Sequence, residues 1–282
     1  MKNRRESPLF LEEDFRFRLG TIPGEPEEFF AKSAESTKVL TERKQWLTVD
    51  PDRYAAILPD GTKIVEEFLE FACHWSELTE LSAELQSPGL ALFEKLLVLG
   101  RSVEPDFVLL APRSDGQFTV AAGCVCFPSS WRLTDKLGQT VSEVHEPVPN
   151  LNTALGQQID RLLQNLRPGK CVIRANWSVC RQPELNQHLD RNLPGMTDLV
   201  SPDQAWLRRE DQSLFVLPET QGIVFGIRVT HLPWQVLRSM PEKARSVVQT
   251  LRTMPPEMLD YKRLTLAWAQ LAGWLTDPGP SV

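Results

Sequence analysis

The sequence is poor in the features that assign many chains at sight. Its longest apolar runs, such as Ile64–Trp75 and Leu90–Gly100, are interrupted by Glu, Lys and His. None reaches the roughly 20 residues that cross a bilayer. The N-terminus, MKNRRESPLF, is basic but lacks the apolar segment of roughly 7–15 residues that a secretory signal needs. Lys and Arg number 31 against 37 Asp and Glu, and the net charge of -6 argues against a nucleic-acid partner, which needs a basic face. Five cysteines, an odd count without framework spacing, point to reduced thiols in a cytoplasmic protein. No G-x-G-x-x-G, G-x-x-x-x-G-K-[ST] or G-x-S-x-G occurs, so dinucleotide, P-loop and nucleophile-elbow chemistry are set aside. Cys124 and Cys126 have no second pair to complete a zinc or iron–sulfur site.

What is present fits a globular chain. With 282 residues, 41% hydrophobic and 24% charged, it can bury one full core. Residues 1–35, punctuated by Gly20, Pro23, Gly24 and Pro26, form an irregular lead-in with helical patterning beginning only near Pro26–Glu28. Residues 36–282 are expected to form a single domain. Ile64, Phe68, Phe71, Trp75 and Leu78 recur at helical steps over Ile64–Leu85, and a second helix covers Leu90–Leu99. Asp106–Ala111 and Phe118–Phe127 flank the turn Arg113–Gly116 as a β-hairpin. A short polar helix is expected at Thr134–Leu137, and Leu151, Leu155, Ile159, Leu162 and Leu166 mark an amphipathic one. Strands follow at Cys171–Ser178, Ala205–Leu217 and Ile223–Thr230, then helices over Pro233–Trp274 broken at Pro255-Pro256. The order predicts an α+β fold: an antiparallel sheet with flanking helices and helical extensions at both ends. It also suits a PAS-like module wrapped around one ligand pocket.

Five segments carry a family resemblance over roughly residues 15–265. They are Cys126-Phe127-Pro128-Ser129-Ser130-Trp131 with Asp135–Gly138, Val144–Pro149, Ile173–Ser178, Leu207–Leu214 with Leu217-Pro218 and Val224–Arg228, and Pro255–Lys262. Together they resemble the haem-binding subunit of the heme-dependent oxidative N-demethylases. The resemblance implies a PAS-like fold that binds haem b and oxidises a small secondary or tertiary amine with dioxygen. Electrons would come from separate flavin and iron–sulfur reductase subunits. Two positions depart from the pattern: Asp211 stands where Arg is usual, and Val229-Thr230-His231 replaces an expected tyrosine. A haem-based gas or redox sensor is the rival function, disfavoured because no coiled-coil linker or output domain follows the core.

Haem iron takes its ligand from His, Cys, Met or Tyr. Of the four histidines, His145 alone lies in a family segment, just before the amphipathic helix and braced by Pro147 and Pro149, and it is the expected iron ligand. A histidine there also serves simply to bridge a bend. His231 is second choice, His74 is a half-buried helix residue and His188 a solvated loop residue. Period-two alternation places Arg174 and Asn176 on one face of their strand, Arg208, Glu210 and Gln212 on one face of the next, and Arg228 and Thr230 on one face of the last. The ordinary outcome is a solvated face. The functional one is that Arg174, Arg208 and Arg228 share a pocket side and meet haem propionates through their planar forks. Glu210 then holds a cationic amine or pairs with Arg208. Trp131 is expected against the cofactor, or in the core.

Overall fold

The computed structural model describes residue 9 and residues 13–74, 79–197 and 201–276. In chain order its elements are β1 (Ile22–Gly24), α1 (Glu27–Phe30), α2 (Ser36–Val49), α3 (Pro51–Tyr54), β2 (Ala55–Ile57), α4 (Thr62–Cys73), α5 (Thr79–Leu85) and α6 (Leu92–Ser102). The hairpin β3 (Asp106–Pro112) and β4 (Phe118–Cys124) is followed by α7 (Val141–His145) and α8 (Leu151–Asn165). Then come β5 (Cys171–Cys180), β6 (Trp206–Val216) and β7 (Ile223–Pro233). Last are α9 (Trp234–Arg238), α10 (Pro241–Thr253), α11 (Pro256–Tyr261) and α12 (Trp268–Thr276). Seven strands form one sheet in the order β1-β5-β6-β7-β3-β4-β2, and every named pairing is antiparallel. The fold is α+β, as the pattern predicts.

Register decides which side chains share a room. Arg174 stands opposite Gln212, and Gln212 opposite Ile227; Asn176 faces Glu210 and Ser178 faces Arg208. The even-numbered side chains of β5 and β6 therefore share a face with the odd-numbered ones of β7. The other face carries Ile173, Phe215, Phe107 and Leu109 into a core built with Phe29, Phe68 and Leu96 of α1, α4 and α6. Helix α8, through Leu163, and Leu166 just after it cover part of the first face beside Val172 and Leu214. The C-terminal helices bury Trp234, Val247, Leu251 and Leu271 against Trp177 and Leu207. Among the described residues no helix is long and apolar enough to cross a membrane.

Several expectations need correction. The lead-in holds a strand the pattern did not show, β1 paired with β5, while the helical start near Pro26–Glu28 matches α1, whose Phe29 and Phe30 are buried in the largest core. Thr134–Leu137 is a turn, where Leu133 sinks into the core and the flanking polar residues give no second apolar face. Strand β4 stops at Cys124: Val125 N–H donates to Tyr54 O at 2.7 Å, and the buried Asp106 carboxylate then captures Cys126 N–H at 2.7 Å and Phe127 N–H at 2.8 Å. Trp75 and Leu78 lie outside the described residues.

Candidate functional site

The segment Cys126–Trp131 is held over the sheet from both sides. Asp106 is itself paired with the fully buried Arg43 guanidinium at 2.5 Å, which opposes the upward push of burial on its carboxyl while it caps the loop. On the other flank, Ser130 N–H donates to Gln187 O at 3.0 Å and Gln187 N–H to Pro128 O at 3.2 Å. Ser130 adopts a left-handed φ of 61°, which turns the chain so that Ser129 points down.

Ser129 is the joint of the site. Its hydroxyl donates to Glu210 and accepts from Arg208 Nε at 2.7 Å. Asn176 and Gln212 also donate to Glu210, at 3.3 and 3.1 Å. Glu210 and Arg208 are thus linked through a hydroxyl. Sequence patterning missed this role of Ser129, although the residue sits inside a family segment.

The three arginines have different fates. Arg208 is fully buried and donates to Phe127 O at 2.7 Å and Glu184 O at 3.2 Å, and lies 3.2 Å from His231 Nε2. Nearly all its N–H groups are consumed, so it clamps two loops together. Arg174 donates to Leu19 O and Gln212 Oε1, both at 3.1 Å. Among the described residues no other partner engages its remaining N–H groups, so it has donors to offer. Arg228 breaks the expected shared face. Its register neighbour is Asp211, on the opposite side of the sheet, where it pairs with buried Glu104 and donates to Ala31 O at 2.7 Å. Asp211 itself accepts from Arg209 Nε at 2.7 Å, so the unusual acid lies away from Glu210.

The histidines separate equally clearly. His145 ends α7, a turn fixed by a capping box between Thr140 and Glu143. Burial, with Arg174 and Lys136 adding to it, pushes the imidazole down to about 4, so it is neutral near pH 7. Its Nδ1 is buried without a hydrogen-bond partner. His231 is pushed down to about 3 by burial and then by Arg208 and Lys38, but its Nε2 lone pair already faces Arg208. His188, expected in solvent, is 3% exposed and packs edge-on to Tyr54, with the Asp190 amide on its Nδ1 at 3.3 Å. His74 is exposed and caps Glu70 O. Trp131 is half-buried between two hydrophobic clusters.

The C-terminal segment packs against the free edge of β5 at Trp177. Strand β1 covers β5 only over Cys171–Ile173, leaving the edge beyond for other groups. Lys262, just after α11, donates to Trp177 O at 2.7 Å and lies 4.6 Å from the Trp177 ring centre. Burial, partly opposed by Glu210, lowers this lysine to about 8. Asn176 is exposed on the same edge and donates to Glu210.

A neutral imidazole with an orphaned buried nitrogen, next to an arginine with spare donors, is the donor set a haem edge and its iron require. Residues 74–272 match the family described as haem-dependent oxidative N-demethylase, alpha subunit-like. The chain belongs to that family. The matched span contains His145, Arg174, Glu210 and Lys262, while Arg43 and Leu19, which support the site, precede it.

Proposed function

We propose that this chain binds haem b through His145 and oxidises a small secondary or tertiary amine with dioxygen, releasing an aldehyde. The observation that carries the reading is the buried, unpartnered Nδ1 of a neutral His145 lying in the field of Arg174. When bound, the haem supplies the dioxygen-activating redox chemistry. The chain's residues supply position and polarity. Arg174 directs its free N–H groups to a propionate, and α7 with Pro147 and Pro149 holds the imidazole in one orientation. Trp131 and Phe127 supply apolar walls. Glu210, kept in place by Ser129, Asn176 and Gln212, offers a carboxylate to an amine nitrogen. An unpaired cation in an enclosed site is costly, so such a partner is required on physical grounds. Arg208 keeps Glu210 and the covering loop in register instead of touching ligand.

Electrons are supplied by a separate flavin and iron–sulfur partner, consistent with an alpha-subunit-like chain that lacks nucleotide and cluster motifs. The PAS-like reading rests on the antiparallel sheet with helices packed on both faces. Five free cysteines fit a cytoplasmic protein. The test begins with haem titration: wild type should develop a Soret band that His145→Ala abolishes or shifts. The reduced protein is then given dioxygen and a panel of methylamines, with formaldehyde as the readout. An unchanged His145→Ala spectrum overturns the ligand assignment. Autoxidation without amine-dependent product overturns the enzyme reading and favours a sensor.

A further inference from the structure

Glu210 and Arg174 are opposite charges that do not meet. In the register of β5 and β6, Arg174 stands opposite Gln212 and Asn176 opposite Glu210, so Arg174 and Glu210 are diagonal neighbours on one face. Diagonal pairs in an antiparallel sheet lie within reach of long side chains. Glu210 and Gln212 are both buried, so water does little to weaken the attraction between carboxylate and guanidinium. Charges so placed ordinarily close to a bidentate pair. Among the described residues, however, Glu210 accepts only from Ser129, Asn176 and Gln212, all uncharged. The Gln212 amide fills the gap. Arg174 donates to its Oε1 and its Nε2 donates to Glu210 Oε2, both at 3.1 Å. Only a head group carrying an acceptor and a donor can stand in this place. It cannot be turned round, because its oxygen would then face the carboxylate and its N–H groups the guanidinium.

The second arginine is also held off by an uncharged group, since Arg208 Nε donates to Ser129 Oγ and the Ser129 hydroxyl donates to Glu210. Arg208 is further pinned by Phe127 O and Glu184 O and has no freedom to swing. Arg174 has only Leu19 O besides Gln212, with most of its fork unspent. Gln212 therefore separates Glu210 from the one arginine able to reach it. Keeping two such charges apart forgoes their mutual attraction, and departures of this kind collect at functional sites. Resting on the function proposed above for what the two charges receive, we propose that Gln212 is a positioning residue that keeps Arg174 from closing on Glu210. The guanidinium then stays available to a propionate and the carboxylate to an amine. Gln212 itself touches neither ligand in this role. It acts through its two neighbours, and its effect on them does not depend on which ligands they take.

The experiment uses the full chain and two measurements. Gln212→Ala opens the gap, and Arg174 is expected to close on Glu210. Haem titration should then show affinity about tenfold or more below wild type. Adding Glu210→Gln should bring it back to within about threefold of wild type, because no carboxylate remains to capture the guanidinium. A merely structural role for Gln212 would leave the double variant as weak as the single. Gln212→Glu, which keeps the shape of the side chain, should be equally weak and should not be rescued by Glu210→Gln, since the new carboxylate holds Arg174 itself. The second measurement needs no haem. Urea unfolding of Arg174→Leu, Glu210→Gln and their combination gives the coupling between the two charges. Expressed as a ratio of unfolding constants, it should be about fivefold or more larger in the Gln212→Ala background than in the wild-type one. Wild-type haem affinity in either Gln212 variant, no rescue of Gln212→Ala by Glu210→Gln, or equal coupling in both backgrounds overturns the proposal. A wild-type chain without a His145-dependent Soret band overturns the haem reading instead, and the unfolding cycle alone then decides the role of Gln212.

Discussion

Replacing Asp106 with Ala tests how the loop over the site is held. The carboxylate is 1% exposed and accepts from Arg43 at 2.5 Å, Cys126 N–H at 2.7 Å and Phe127 N–H at 2.8 Å. Its removal strands a guanidinium that is itself fully buried. Breaking such a pair from one side costs about 3–5 kcal/mol. The two amides would add about 1–3 kcal/mol each if the backbone stayed in place, but the loop relaxes and recovers part of that. A total of about 4 kcal/mol is expected, lowering Tm by roughly 10 °C for a domain of this size. Urea unfolding followed by tryptophan fluorescence and circular dichroism measures it. The double variant Arg43→Met/Asp106→Leu should be less destabilised than Asp106→Ala, because it removes both charges together. A loss below about 1 kcal/mol for Asp106→Ala, or a double variant worse than the single, would refute the view that this ion pair anchors Cys126–Trp131.

Arg174→Leu should weaken haem affinity about tenfold or more, since a charge-assisted hydrogen bond contributes about 1.5–3 kcal/mol. Arg228→Leu should leave haem affinity unchanged in the same titration while lowering stability, because it serves Glu104 and the α1 carbonyls on the other face. For Glu104, burial pushes its pKa up, but Arg228 and Ser33 outweigh that and hold it below the ordinary carboxylate value. With its folded value below its unfolded one, its contribution is complete above the unfolded pKa and is lost as pH falls through the folded one. Glu104→Gln should therefore lose stability near pH 7 and show a shallower decline in Tm below about pH 4.5 than wild type.

Much of the fold was legible because its strands alternate strongly. Cys171–Ser178 and Ile223–Thr230 lie within β5 and β7, and the stop at Pro255-Pro256 separates α10 from α11. Helix α2 was not legible, since only Arg43 and Leu47 along it are buried and no apolar stripe marks it. Arg174, Arg208 and Glu210 fall on one face of the sheet, as alternation within each strand suggested. Arg228 does not, because facing across a hairpin depends on register as well as on alternation. Val216 stands opposite Ile223, so even residues on β6 meet odd ones on β7, which inverts the side expected for Arg228. His188 was misjudged because a polar loop sequence carries no sign that Tyr54 and Asn186 will enclose it.

Strand β6 reads as a partition wall with separate tenants on its two sides. Arg208, Glu210 and Gln212 furnish one room, while Arg209, Asp211 and Ser213 furnish the other. Because the tenants interleave one by one along the chain, a saturating mutational scan of this strand should trace a comb. One set of teeth would register in ligand binding, the other in stability. The same interleaving lets the ligand side diversify by isolated substitutions while the charges behind it stay in place. A single inserted residue, in contrast, would exchange the contents of both rooms beyond it at one stroke.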